Sequence, residues 1–222
     1  MVLMNTLTSR LSAWSGLVLS VLLFLCSAVS FLTYPSPSTL KSLNPRANLT
    51  VTSVETILGR QRWSPNREEQ EFVEVRFDLA TDLTGGLAGQ GGRALWTWNT
   101  KQVFLSLVAS WDSVDPRARG KGGIRKNEAV LWDRIVQRRE DARVLISQGN
   151  KYALREVGKR WAGIDSANFT LHWNVMPHVG MLAYGHEATT GAIPIPARAR
   201  RVRQLPNGET VEEDEEVRRM PY

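Results

Sequence analysis

The chemistry-bearing side chains of this chain are few, and their spacing argues against catalysis. The three histidines, His172, His178 and His186, lie six and eight residues apart. A helical metal motif needs two histidines on one face four apart, with a carboxylate at a fixed offset, and neither is present. No G-x-S-x-G elbow marks a serine nucleophile. The single cysteine, Cys26, sits inside an apolar run, so no intrachain disulfide or cysteine-based zinc site can form. Gly85, Gly86, Gly89, Gly91 and Gly92 cluster but lack the G-K-[ST] ending of a phosphate loop and precede a strand pattern. The expectation is no catalytic residue, no metal and no cofactor. Triads can assemble from distant residues, so a membrane-tethered hydrolase using the three histidines stays open as an alternative. What remains is modification chemistry. Asn48-Leu49-Thr50 and Asn168-Phe169-Thr170 both fit the N-glycosylation acceptor, and Asn168 and Asn48 are the candidate site residues.

The elements that position them begin with a membrane segment. Residues 14–32 (WSGLVLSVLLFLCSAVSFL) contain no charge and approach the roughly 20 residues a bilayer core requires of a helix. This exceeds the apolar core of a usual cleaved signal, although Ala28-Val29-Ser30 has a small-x-small cleavage pattern. The favoured reading is an uncleaved signal-anchor. The alternative is a cleaved leader releasing a secreted or surface β-sandwich adhesion domain. Arg10 before the span nearly balances Lys41 and Arg46 after it, so charge does not orient the helix. The sequons do: residues 1–13 are expected in the cytoplasm and the body in the lumen, a single-pass type II arrangement.

The body is read as mainly β. Residues 33–48, with Pro35, Pro37 and Pro45, form a stalk. Residues 49–58 alternate loosely. Residues 71–82 alternate strictly, with Val73, Val75, Phe77 and Leu79 on one face and Glu74, Arg76 and Asp78 on the other. The glycine-rich segment 83–93 is a flexible insertion. Residues 95–111 carry two strand-like pieces, the second apolar on both faces, as in a strand covered on both sides. Residues 112–126 form a solvated basic loop, and 128–136 (EAVLWDRIV) are a strand, with helix not excluded. Two short apolar pieces follow at 144–146 and 151–154. Residues 168–176 place Phe169, Leu171, Trp173 and Val175 on the dry face, and Asn168, Thr170, His172 and Asn174 on the wet one. The sequon asparagine therefore faces solvent. Residues 193–196 (IPIP) form a last edge strand, and the charged segment 197–222 is expected to be disordered.

About seven short strands over 49–196 give a β-sandwich-like lumenal domain behind one transmembrane helix. Seven of the 8 tryptophans (Trp63, Trp96, Trp98, Trp111, Trp132, Trp161 and Trp173) lie in this body and can build a core without disulfides. The net charge of +6 suits a membrane surface or an acidic partner and falls short of a nucleic-acid footprint.

Four segments carry a family resemblance: FDLATDL (77–83), WNTKQVFLSLVASW (98–111), NEAVLWDRIV (127–136) and NFTLHWNVMPHVGML (168–182). In this order, behind one N-terminal span, they resemble signal peptidase complex subunit 3, the small glycosylated accessory subunit of the endoplasmic-reticulum enzyme. The resemblance covers most of residues 5–196. It implies an essential, non-catalytic partner of a membrane serine protease that removes signal peptides from nascent secretory chains. It also aligns Asn168 with the family's glycosylated asparagine. Implied partners are the catalytic and other subunits, the membrane and, indirectly, signal-peptide-bearing chains. The apolar residues near the final strands and the 194–196 edge are the expected contacts with the catalytic subunit.

Overall fold

The computed structural model describes residues 6–33, 46–60, 69–84, 94–114, 123–196, 200–204 and 210–213. A long helix, α1 (Leu7–Thr33), precedes a body of strands. The run of Leu, Val, Ser and Ala supports helix, and five of its six hydroxyls past Arg10 are absorbed internally. Ser15, Ser20, Ser27, Ser30 and Thr33 each donate to a carbonyl one turn back, at 2.6–2.9 Å. A helix whose hydroxyls are satisfied this way meets lipid without an orphaned donor. Its apolar side chains, Leu17, Leu22 and Phe24 among them, are exposed.

Eleven strands follow among the described residues: β1 (Arg46–Arg60), β2 (Glu69–Asp82), β3 (Thr100–Val114), β4 (Ile124–Val136), β5 (Arg143–Gly149), β6 (Leu154–Arg155), β7 (Ser166–Pro177), β8 (Ala183–Glu187), β9 (Ile193–Pro194), β10 (Arg200–Gln204) and β11 (Thr210–Glu213). One sheet runs β11-β10-β1-β2-β5, with β6 also on β2. The other runs β4-β3-β7-β8, with β9 also on β7. Only β1–β10 is parallel among these pairs. The sheets share one core, in which Val73, Val75, Phe77 and Leu79 of β2 face Val103, Leu105 and Leu107 of β3 and Phe169, Leu171 and Trp173 of β7. The Phe77 ring meets Trp132 edge-on across the layers, 6.1 Å between centroids. This is the β-sandwich, its dry faces those the alternation of residues 71–82 and 168–176 predicted.

Three strands depart from simple alternation through an extra residue, and in β3 it is Lys101, where the pairing steps from Thr100↔Pro177 to Gln102↔Met176. In β4 the pairing steps from Leu107↔Trp132 to Val108↔Val130, so Leu131 is an extra residue. The bulge turns Leu131 and Trp132, adjacent in sequence, both into the core. In β1 the pairing skips Thr52, which changes the phase between Val51 and Val54.

Several boundaries differ from the sequence reading. β1 begins at Arg46, opposite Asp82, so Asn48 lies in a strand and not in a stalk. The first piece of 95–111 is a turn, not a strand. β3 and β4 extend to Val114↔Ile124, leaving a shorter connection than 112–126; Arg117, Arg119 and Lys121 lie outside the described residues. Leu83, assigned to the glycine-rich insertion, is fully buried; 85–93 lie outside the described residues. Phe104 and Val108, on the outer face of β3, are only partly covered, so the strand is not enclosed on both sides by this chain. The tail read as disordered contributes β10 and β11, because Ile57 and Leu58 of β1 offer a free ladder opposite Arg200 and Arg201.

Candidate functional site

The sandwich has two ends, and α1 marks one of them. At that end Asn99 is buried and uses its whole amide. Its Nδ2 donates to Thr33 Oγ1 of α1 at 3.0 Å and to the Val179 carbonyl at 2.8 Å, while its Oδ1 accepts from the Val179 amide at 3.2 Å. The His178 amide adds a 2.8 Å bond to the Asn99 carbonyl. Beside this clasp Gly180 adopts φ +126°, and a Cβ there would lie 3.4 Å from the Ser30 Cα. The segment 178–180 therefore turns back against the helix where a larger residue would be strained. Ala28, Val29 and Ser30 are helical and half-buried, so the cleavage-like triplet is not presented as an extended substrate.

Next to the clasp, β2 ends in a side-chain-capped turn. Asp82 Oδ1 accepts from the Thr84 amide at 2.9 Å and from its hydroxyl at 2.6 Å, and Oδ2 meets Arg143 Nε at 3.3 Å. Burial alone would raise the Asp82 pKa. The Thr84 bonds and the Arg143 charge outweigh it and hold the carboxyl below 3.8. The turn plugs Leu83 into the core, where its amide donates to the Ala142 carbonyl at 3.0 Å.

The opposite end is closed by aromatic rings. Trp111 and Trp161 lie 5.1 Å apart, tilted by 48°. The Trp111 indole donates to the buried carboxylate of Glu156, and the Trp161 amide donates to Glu71 Oε2 at 2.6 Å.

The predicted acceptor residues stand at different heights between these ends. Asn168 of β7 is exposed opposite Ser110 of β3, whereas Thr100 pairs with Pro177 at the helix end. Ten residues of β3 separate the two positions, roughly 30 Å of strand. Asn48 of β1 is exposed opposite Ala80, two residues from Asp82, within roughly 10 Å of the helix end. It also lines a shallow concavity of about 370 Å³ with Asp78, Ala80 and Leu145. The structure does not bring the two asparagines together, since they lie on opposite sheets.

The histidines separate in the same way. His178 is exposed at the helix end, while His172 and His186 pair across β7 and β8 with ring centroids 5.9 Å apart. Their ladder row reads Asp133, Ser106, His172, His186. A hydrolytic relay needs the acid behind the histidine, not beyond the serine. Asp133 is already engaged, accepting from Lys151 Nζ at 2.7 Å and the Tyr152 hydroxyl at 2.8 Å, and these bonds hold its pKa low. No hydrogen bond joins Ser106 to His172 among the described residues. Burial, then the His186 charge, depress the His172 pKa, with Glu128 opposing. No group of three metal-ligating side chains occurs among the described residues.

Sequence reasoning missed Glu187. It faces inward opposite Leu171, one carboxyl oxygen lacks a hydrogen-bond partner among the described residues, and burial pushes its pKa up to about 7. Its neighbour on the same face, Gly185, has a visible cause: a Cβ would meet the Trp173 ring at 2.5 Å. The edge piece read at 193–196 is strand only at β9, which pairs on one side with β7. Ile195 is buried and its amide donates to the Asp165 carbonyl at 3.0 Å, while Thr56 Oγ1 donates to the Pro196 carbonyl at 2.7 Å. The residues after β9 tie the two sheets together.

Residues 4–198 match the family described as "Signal peptidase subunit". Among curated proteins, the chain is 35% identical over 132 residues to "Signal peptidase complex subunit 3" of Yarrowia lipolytica, covering 59% of this chain and 62% of that protein. It is 27% identical over 198 residues to the protein of the same name in Schizosaccharomyces pombe, covering 87% of this chain and 95% of that one. The human protein of that name is 27% identical over 197 residues, with the same two coverages of 87% and 95%.

Proposed function

The chain belongs to the signal peptidase subunit family, and on that premise we propose that it is a non-catalytic, single-pass subunit of the endoplasmic-reticulum signal peptidase complex. In this role it supports a separate catalytic serine-protease subunit that removes signal peptides from nascent secretory chains. The observation that carries the proposal is the match over 4–198, which takes in the helix and strands β1 to β9. The out-of-order Asp133, Ser106, His172, His186 row supports the non-catalytic part, because its only serine has no base bonded to it and its acid is committed elsewhere.

The arrangement we propose has residues 1–13 in the cytoplasm, α1 across the membrane as an uncleaved anchor, and the sandwich in the lumen. The exposed sequons agree with it, and so does the half-buried, helical state of 28–30. Asn168, high on the sandwich, is the glycan acceptor. Asn48, close to the bilayer, is the disfavoured one. Asn168→Gln should abolish the endoglycosidase-sensitive mobility shift of the microsomal protein, and Asn48→Gln should leave it intact. The converse pattern would refute this assignment of heights.

The functional test is detergent purification of the tagged full chain with identification of its partners and an assay of preprotein cleavage. A co-purifying membrane serine protease, whose inactivation removes the cleavage, supports the reading. A glycosylated chain that purifies alone and leaves preprotein processing normal when depleted would refute it.

A further inference from the structure

The helix end of the sandwich carries a set of large apolar side chains that the fold leaves uncovered. Trp98 is 76% exposed, Met181 64%, Leu182 50% and Tyr184 74%. They come from two connections, 95–99 and 178–182, and the start of β8, and these are the segments the Asn99 clasp ties to α1. The other exposed large apolar side chains of the sandwich, Ile124, Val130, Ile135, Leu145, Tyr152 and Val157, come from β4, β5 and the connections around β6, none of which the Asn99 clasp ties to α1. A cluster of this kind at one end marks a contact surface, not scattered surface apolarity.

The geometry of α1 fixes what lies there. The uncharged stretch runs to Leu32, yet Gly180 packs against Ser30 and Asn99 bonds to Thr33. With about 1.5 Å of rise per residue, Ser30 lies about 3 Å below the last apolar residue of the span. A loop touching Ser30 is therefore at the level where hydrocarbon gives way to headgroups. Met181 follows Gly180 directly, and Trp98 precedes Asn99. Tryptophan and tyrosine are the residues that partition to this level, an apolar ring below and a polar edge above. Lys101, three residues after Trp98 at the start of β3, is exposed.

We propose that Trp98, Met181, Leu182 and Tyr184 form a membrane-embedded foot, by which the sandwich rests on the lumenal leaflet beside its own helix. Met181 enters the acyl boundary, and Tyr184 stands at headgroup height. The inference rests on α1 spanning the bilayer. It deepens that reading by seating the domain in lipid instead of holding it on a stalk above the surface.

The test uses the full chain with Cys26→Ser, reconstituted in phosphatidylcholine vesicles, and single spin-labelled cysteines at Met181, Trp98, Leu22 and Ser147. Collisions with oxygen, which concentrates in lipid, are compared with collisions with a water-soluble nickel complex. Leu22 lies in mid-span and reports the spanning reading; Ser147, exposed on β5, reports bulk water. Oxygen should dominate at Leu22, Met181 and Trp98, and nickel at Ser147. Oxygen dominance at Leu22 with nickel dominance at Met181 and Trp98 would overturn the foot while leaving the span standing. Nickel dominance at Leu22 would overturn both. Protection of Met181 from both reagents would mean that a second copy of the chain covers the patch, and would overturn lipid as its occupant.

Discussion

The two ends of the sandwich close by different physics. The far end is shut by ring against ring, Trp111 on Trp161, with the buried Trp111 indole N–H donating to the Glu156 carboxylate. The helix end is shut by one amide side chain, Asn99, that bonds to three groups on two elements. Ring burial depends on area and tolerates displacement. Amide bonding depends on angle and distance, and fails abruptly when its partners shift. The far end is therefore suited to stability and the helix end to orientation.

The largest effect that bears on this contrast should come from Trp161→Ala. It should cost about 3–5 kcal/mol by emptying a buried aromatic site. Thermal unfolding in detergent would read this, and amide exchange at 178–180 should stay slow in the folded fraction. Equal loosening at the helix end would show that the two ends are one cooperative unit. Asn99→Ala should cost less, about 1–3 kcal/mol, since it deletes bonds and strands the Val179 amide. Its mark should be local: fast exchange at 179–180 and freer motion of a label at Ser30. Loss of global stability as large as for Trp161→Ala would contradict the division of labour.

The smallest effect concerns pH. Burial raises the Glu187 pKa to about 7 in the folded chain, against an ordinary value of 4.5. The folded state thus binds more protons between these values, so stability from this group is full below 4.5 and falls as pH rises to 7. His172, with its pKa depressed, acts oppositely and weakens the fold as pH falls below 6.5. Glu187→Gln should remove the loss on the alkaline side and leave the acid-side loss. An unchanged profile would mean that the carboxyl is hydrated in solution.

What the sequence made legible was whatever depends on local periodicity. Residues 71–82 and 168–176 alternate because each strand has one wet face, and their inward residues are the core. The bulges at Thr52 and Leu131 broke that periodicity, which is why 49–58 read as loose and 128–136 as ambiguous. The outward position of Asn168 was legible for the same reason as its strand. Its height above the helix, which separates it from Asn48, was not, because height depends on pairing across distant segments. Asn99 carried no local signal at all. Its partners, Thr33 and Val179, lie 66 and 80 residues away, and no spacing rule connects them. The His172–His186 pairing was hidden likewise, since only the register of β7 on β8 sets the rings side by side.

The bond from Thr56 to the Pro196 carbonyl joins groups 140 residues apart, and β10 closes on β1 over a similar distance. A chain that emerges from a ribosome at about 5–20 residues per second leaves that edge of β1 unpaired for on the order of ten seconds. During this interval the protein is itself an incomplete nascent chain with an open strand, so its maturation is timed by the arrival of Pro196 and β10.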